Sequence, residues 1–236
     1  MAGKSRAYLE YKDSGVEWVG SIPVEWKTSR FKYRVALVTD KATTKTNPVG
    51  LENINGWTGE FVSSDTEFQG DGVAFQSGDI LFGKLRPYLA KVFFANDEGE
   101  AVGDFHVFRP NNFEGCFLQY LMLTEEYISI VDGATYGAKM PRASWDFMSN
   151  MRIPCPSKCE QIKIANFLDH ETAKIDTLIA KQQQLIQLLK EKRQAVISHA
   201  VTKGLNPAAP MKDSGVEWLG EMPEHMSRLL ISKKGK

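Results

Sequence analysis

Long apolar runs are missing from this chain of 236 residues. No stretch approaches the roughly 20 apolar residues that a membrane helix requires. The opening Met1-Ala-Gly-Lys-Ser-Arg6 leads into charge instead of an apolar signal core. A cytoplasmic protein without membrane contact is expected. Cysteine is scarce and odd in number: Cys116, Cys155 and Cys159 are too few for a secreted disulfide framework. Cys155 and Cys159 lie four apart, but zinc wants about four ligands and no second Cys or His pair stands nearby at ligand spacing, so no metal site is expected. Net charge is also lacking, 29 basic residues balancing 29 acidic ones, which removes the whole-chain basicity that often marks a nucleic-acid binder. Binding of that kind must rest on local patches, which screening over about 10 Å isolates from acidic faces elsewhere.

Catalytic patterns are absent too. A methyltransferase would need a glycine-rich cofactor loop after a strand, and an Asn or Asp followed by Pro-Pro and an aromatic; neither occurs. A nuclease would want carboxylates spaced with a lysine to hold a metal. Asp79 and Lys84 come nearest, but a spacing of five on an expected strand sends their side chains to opposite faces. His106 and His170 have no serine or cysteine partner that the sequence identifies and read as structural histidines. The expectation is a non-catalytic chain with no cofactor.

What is present begins with a repeat. Lys12-Asp-Ser-Gly-Val-Glu-Trp-Val-Gly-Ser-Ile-Pro23 recurs as Lys212-Asp-Ser-Gly-Val-Glu-Trp-Leu-Gly-Glu-Met-Pro223, with nine identities in twelve. An offset of 200 residues is far above solenoid periods, so the repeating unit is a whole domain plus connector. The expected organisation is a domain over 1–158 carrying the first copy at 12–23, a long helix over 159–203, and the start of a second unit over 204–236 carrying the second copy at 212–223. After Pro223 the match degrades, and the tail reads as a frayed or truncated end.

Residues 28–156 read as a mixed, strand-rich domain, which gives an α+β class. Gly78 to Phe94, interrupted by Pro87, suggests two strands or one bent edge strand. Val102 to Phe108 reads as one strand, Phe117 to Val131 as one helix, and Met151-Arg-Ile-Pro154 as a closing strand. Residues 159–203 hold no Gly or Pro until Gly204 and Pro207 supply a stop. Heptad positions fall at Leu168, Ile175, Gln182, Leu189 and Val196, with a second set at Glu171, Leu178, Leu185, Lys192 and His199. Ile164, Ile179 and Ile186 widen the apolar stripe beyond a strict seam. Such a helix, at about 1.5 Å per residue, is suited to a coiled coil.

Four strings together carry a resemblance. They are the repeated Lys12–Pro23 motif, Gly78-Asp-Ile-Leu-Phe-Gly-Lys-Leu-Arg-Pro-Tyr-Leu89, Tyr136-Gly-Ala-Lys-Met-Pro141, and Ile153-Pro-Cys-Pro156 followed by Glu160-Gln-Ile-Lys-Ile-Ala-Asn-Phe-Leu-Asp169. In this order, with the long helix after them, they resemble type I restriction-modification specificity subunits over nearly the whole chain. The resemblance implies a target recognition domain followed by a conserved helical region, a pair that such subunits carry twice and this chain once. It further implies antiparallel helices spacing two DNA readers over a bipartite site. DNA methyltransferase (modification) subunits would dock beside them and, through those, motor and endonuclease subunits. A single copy suggests a homodimer, because antiparallel pairing of identical helices has a two-fold axis. The expected target is then a palindrome with a gap.

Recognition needs phosphate contacts for position and base-edge contacts for sequence. Lys84, Arg86, Tyr88 and Lys91 form the best basic and aromatic patch, with alternation expected to put Lys84, Arg86 and Tyr88 on one side of a strand. Phosphate contact is the expected role there. A second candidate is the loop of Tyr136, Lys139, Arg142 and Ser144, where Gly137 permits a tight turn. A third is the polar loop of Lys41, Thr43, Thr44 and Lys45. Each reads alternatively as solvated surface. On the helix, Leu168, Ile175, Leu178, Gln182, Leu185, Leu189 and Val196 are the candidate partner-facing positions. The competing readings are a coiled-coil scaffold that binds protein without reading DNA, and a stand-alone restriction enzyme.

Overall fold

In a computed structural model, residues 8–42, 46–64, 72–137 and 139–225 are described. The chain forms two compact units, Met1–Asp169 and His170–Lys236.

The first unit opens with a hairpin of β1 (Tyr11–Asp13) and β2 (Ser21–Pro23). Then follow β3 (Lys27–Arg30), β4 (Val35–Val38), β5 (Pro48–Val49), β6 (Val73–Phe75), β7 (Ile80–Gly83), β8 (Val92–Phe94), β9 (Gly99–Ala101) and β10 (Phe105–Pro110). Helices α1 (Gly115–Met122), α2 (Glu125–Gly133) and α3 (Trp145–Asn150) precede β11 (Arg152–Cys155) and the long α4 (Lys158–Lys203). The central sheet is antiparallel in the order β4-β10-β7-β8. A smaller sheet, β5-β9-β6, mixes one parallel and one antiparallel pairing. Strand β11 closes back on β3.

Both faces of the central sheet are covered, which is why β7 is apolar at successive positions instead of alternating. Ile80 and Phe82 enter one core with Phe31, Phe108, Leu118, Tyr127 and Met148, contributed largely by the helices. Leu81 enters the other, with Val49, Ile54, Phe75 and Phe105. Among the described residues Tyr127 is the largest side chain wholly buried, ringed by Trp18, Phe31 and Phe82. Among the described residues its hydroxyl finds no hydrogen-bond partner. At the mouth of β7, buried Asp79 accepts two hydrogen bonds from the Arg109 guanidinium, at 2.9 and 2.8 Å.

The α+β architecture and the long helix are as the sequence indicates, and three local expectations need correction. The helix expected over Phe117–Val131 is two helices, because Thr124 Oγ1 accepts from Tyr127 N and caps a new start at α2. The strand expected over Val102–Phe108 begins only at Phe105 and runs on to Pro110, because Gly103 at φ +87° turns the chain between β9 and β10, which serve different sheets. The segment after Gly83 leaves the sheet: Arg86 takes a left-handed backbone at φ +53° and Pro87–Leu89 forms a 3-10 turn. The alternation that was to align Lys84, Arg86 and Tyr88 therefore does not exist, and Asp79 and Lys84 flank β7 instead of lying on it.

Helix α4 starts at a capping box: Glu160 N donates to Ser157 Oγ at 3.3 Å and Ser157 N donates to Glu160 Oε2 at 3.2 Å. Glu160 Oε1 also accepts from Trp26 Nε1 and from the Tyr8 hydroxyl. The expected junction at 158/159 falls at the helix start, while the first unit continues to Asp169, since Gln161 and Ala165 are buried in it.

In the second unit, α4 runs on to Lys203 with its residues almost all exposed. A hairpin of β12 (Met211–Asp213) and β13 (Glu221–Pro223) follows. Among the described residues, no helix is long and apolar enough to cross a membrane.

Candidate nucleic-acid interface

Two candidate strings are stitched together by backbone hydrogen bonds between residues more than fifty apart in sequence. Arg86 N donates to Pro141 O at 2.9 Å, and Ala143 N donates to Lys84 O at 2.8 Å. Leu85 bridges Arg142 in the antiparallel sense, and Tyr136 bridges Arg142 in turn. The left-handed backbone at Arg86 is what lets the chain leave β7 and run against the second loop. Strain of this kind costs on the order of 1–3 kcal/mol and persists only where surrounding contacts impose it.

Between the two loops lies a polar cleft of about 360 Å³, lined in part by Lys84, Tyr136, Arg142 and Ser144. Its remaining polar lining is Asp104, His106 and Asp146, none of which the sequence singled out as contacts. Asp104 organises the cations: it accepts from Arg142 Nε at 3.2 Å and Nη2 at 3.1 Å, and stands 3.9 Å from Lys84 Nζ. The fork geometry fixes the plane of the guanidinium, which pre-orients its remaining N–H groups. His106 stacks on Phe108 in the wall. Its Nε2 lies 3.1 Å from Ala143 O, and since a carbonyl can only accept, that nitrogen carries the proton. Burial holds the His106 pKa below its ordinary value. The Lys84 charge pushes in the same direction, against the Ala143 hydrogen bond and Asp104. The imidazole is thus neutral at neutral pH.

The other candidates fall differently. Lys139 is exposed on the loop between Tyr136 and Arg142, where Gly137 at φ +93° makes the turn. Arg86 is exposed at the turn, and Tyr88 is exposed on the 3-10 turn. Lys91 must be withdrawn from the phosphate-contact set, because its ammonium donates to Leu51 O at 2.6 Å and Ile54 O at 2.9 Å inside the fold. Lys41 bridges Val73 beside the smaller sheet. Thr43, Thr44 and Lys45 lie outside the described residues. A larger hollow of about 520 Å³ is lined by Phe61, Phe75 and Phe93 together with Asn96, Asp97 and Glu98, and among the described residues no Lys or Arg lines it. The missed Asp104 had no signal in the sequence beyond its place after a turn glycine. Among the described residues, no group of three or more His, Cys, Asp or Glu gathers to hold a metal ion.

On α4, Ile175, Leu178, Leu185, Leu189 and Val196 are all exposed, and with Ile179, Ile186 and Ile197 they make a long apolar stripe. Gln182 lies exposed at its centre, while Leu168 is half-buried near the helix start.

The specificity subunit of the type I restriction enzyme EcoDI from Escherichia coli is 25% identical over 220 residues, covering 88% of this chain and 46% of that protein. The corresponding MjaVIII subunit from Methanocaldococcus jannaschii is 24% identical over 212 residues, covering 80% and 49%. The chain thus spans about half the length of the curated relatives it matches. Its fold is similar to the HsdS subunit crystal structure from Thermoanaerobacter tengcongensis, with a TM-score of 0.58, 21% identity, and coverage of 80% of this chain and 52% of that one. The sequence model described as "Type I restriction modification DNA specificity domain" matches residues 26–188, more than half of the chain, and the protein belongs to that family.

Proposed function

We propose that this chain reads DNA as the specificity component of a type I restriction-modification assembly and performs no catalysis itself. The observation that carries this reading is the convergence of two distant basic strings, around Lys84 and Arg142, on one polar cleft within a specificity-domain family member. Lys84, Arg86, Lys139 and Arg142 are assigned to phosphate, with Tyr136 and Ser144 as further hydrogen-bonding groups. Two copies pair through the apolar stripe of α4, antiparallel, and present two identical readers to double-stranded DNA. The stripe supports this because an exposed apolar seam of that length has no role on a lone surface helix. The dimer docks DNA methyltransferase (modification) subunits and, through them, motor and endonuclease subunits in the cytoplasm. The rigid helices set the gap of a bipartite palindrome.

The test is to co-express the chain with a cognate modification subunit and map methylated adenines across a genome. A gapped palindromic motif is the expected result. A full set of subunits that leaves no new methylation motif, or binding to DNA that does not weaken as salt rises, would favour the protein-scaffold reading instead. Plasmid cleavage by the purified chain with magnesium alone would overturn the non-catalytic assignment.

A further inference from the structure

The two copies of the repeated motif fold alike. Register is conserved, Lys12 opposite Ile22 and Lys212 opposite Met222. The turn glycines match as well, Gly15 and Gly20 at φ +67° and +63°, Gly215 and Gly220 at +66° and +62°. Lys12 Nζ and Lys212 Nζ each donate across the hairpin at 2.6 Å, to Val24 O and Glu224 O. The tryptophans differ. Trp18 packs edge-on against Tyr127 at 5.9 Å and joins the core, whereas Trp218 is 82% exposed. A folded hairpin that holds an indole in water offers a large apolar contact without a further ordering cost.

In the antiparallel pairing proposed above, the register of α4 decides what would meet it. The stripe from Leu168 to Val196 is centred on Gln182, and a two-fold axis there sets Lys203 opposite Gln161 of the partner subunit. Glu160, the adjoining residue, fastens Tyr8 and Trp26 at 3.1 and 3.2 Å. Tyr8 also stands edge-to-face with Tyr11 at 6.2 Å and with Trp26 at 5.9 Å. This aromatic patch remains partly open, Tyr11 being 57% and Tyr8 39% exposed. The second hairpin stays beside the end of α4, since Lys203 Nζ donates to Glu221 O. The connector between Lys203 and Met211 could in any case reach about 25 Å when extended.

We propose that Trp218 of one copy docks on the Tyr8–Tyr11–Trp26 patch of a second copy, so that each end of the paired helices is closed by a hairpin from the other chain. This rests on the antiparallel dimer proposed above. Edge-to-face packing on two exposed tyrosine rings suits an indole, and the two-fold axis supplies the contact twice.

A photo-reactive benzoylphenylalanine placed at position 218 of the full chain tests this, in an equal mixture of isotopically heavy and light copies whose sedimentation mass is measured in parallel. The expected result is a mixed heavy-light cross-link to peptides within residues 8–26. A dimer that cross-links elsewhere, only within one copy, or not at all overturns the docking while leaving the helix pairing intact. A monomeric mass overturns both. Independently, Trp218→Ala should raise the dimer dissociation constant by about tenfold or more without changing helix content, and an unchanged constant would count against the contact.

Discussion

Replacing Leu185 and Leu189 together by Glu should abolish self-association. The two side chains are 48% and 55% exposed in the single chain, so each offers about 90 Å² to a partner, worth about 2 kcal/mol at about 25 cal/mol per Å². A two-fold pairing uses both leucines on both helices, which brings the loss to about 8–9 kcal/mol. That equals or exceeds the whole free energy of a micromolar complex, about 8 kcal/mol. Four carboxylates brought within two turns of the axis would repel one another as well. Glu is a good helix former, so the helix should persist and circular dichroism should be nearly unchanged. Sedimentation equilibrium at tens of micromolar provides the readout: the parent chain at twice 26.5 kDa, the variant at the single-chain mass. A variant that still sediments as a dimer would refute the seam, and with it the two-reader arrangement.

Replacing Lys84 and Arg86 by Ala should weaken binding to target and unrelated DNA alike, and should lower the slope of log affinity against log salt by about 1.8. Loss confined to the target would show that these residues read bases. Tyr127→Phe should leave stability unchanged or raise it by up to about 1 kcal/mol in urea unfolding, because it removes a buried hydroxyl that has no partner among the described residues; a loss above 1 kcal/mol would reveal a hidden hydrogen bond. His106 has a folded pKa below that of the unfolded chain. The unfolded state therefore binds the proton first, and stability is retained above about pH 6.5 and falls as pH drops below it. His106→Asn, which can still donate to Ala143 O, should flatten that part of the pH–stability profile; a profile identical to the parent would remove His106 as its source.

The features that could be read from sequence are those set by near neighbours. Helix α4 was legible because a long run without Gly or Pro, periodic in leucine and isoleucine, has few other folds open to it. The repeated hairpins were legible as repeats, though nothing in the strings told which tryptophan would pack against the core. The break at Thr124 was written in Thr124-Glu125-Glu126, a helix start, and was masked by apolar spacing that runs through it. The cleft was legible only in halves. Lys84 and Arg142 meet because β7, β10 and the Tyr136–Arg142 loop converge in three dimensions, and Asp104 reaches both from a turn between sheets. Lys91 shows the reverse error: a lysine in a basic string whose charge serves the fold.

The capping box at Ser157 and Glu160 has a mechanical consequence. Were α4 straight over its 46 residues, about 69 Å, a tilt of about 5° at its root would displace the far tip by roughly 6 Å, nearly two base-pair steps of a duplex. The carboxylate that starts the helix also grips Tyr8 and Trp26, so in the proposed two-reader arrangement the stiffness of this small junction would decide how sharply a spacing between two half-sites is measured.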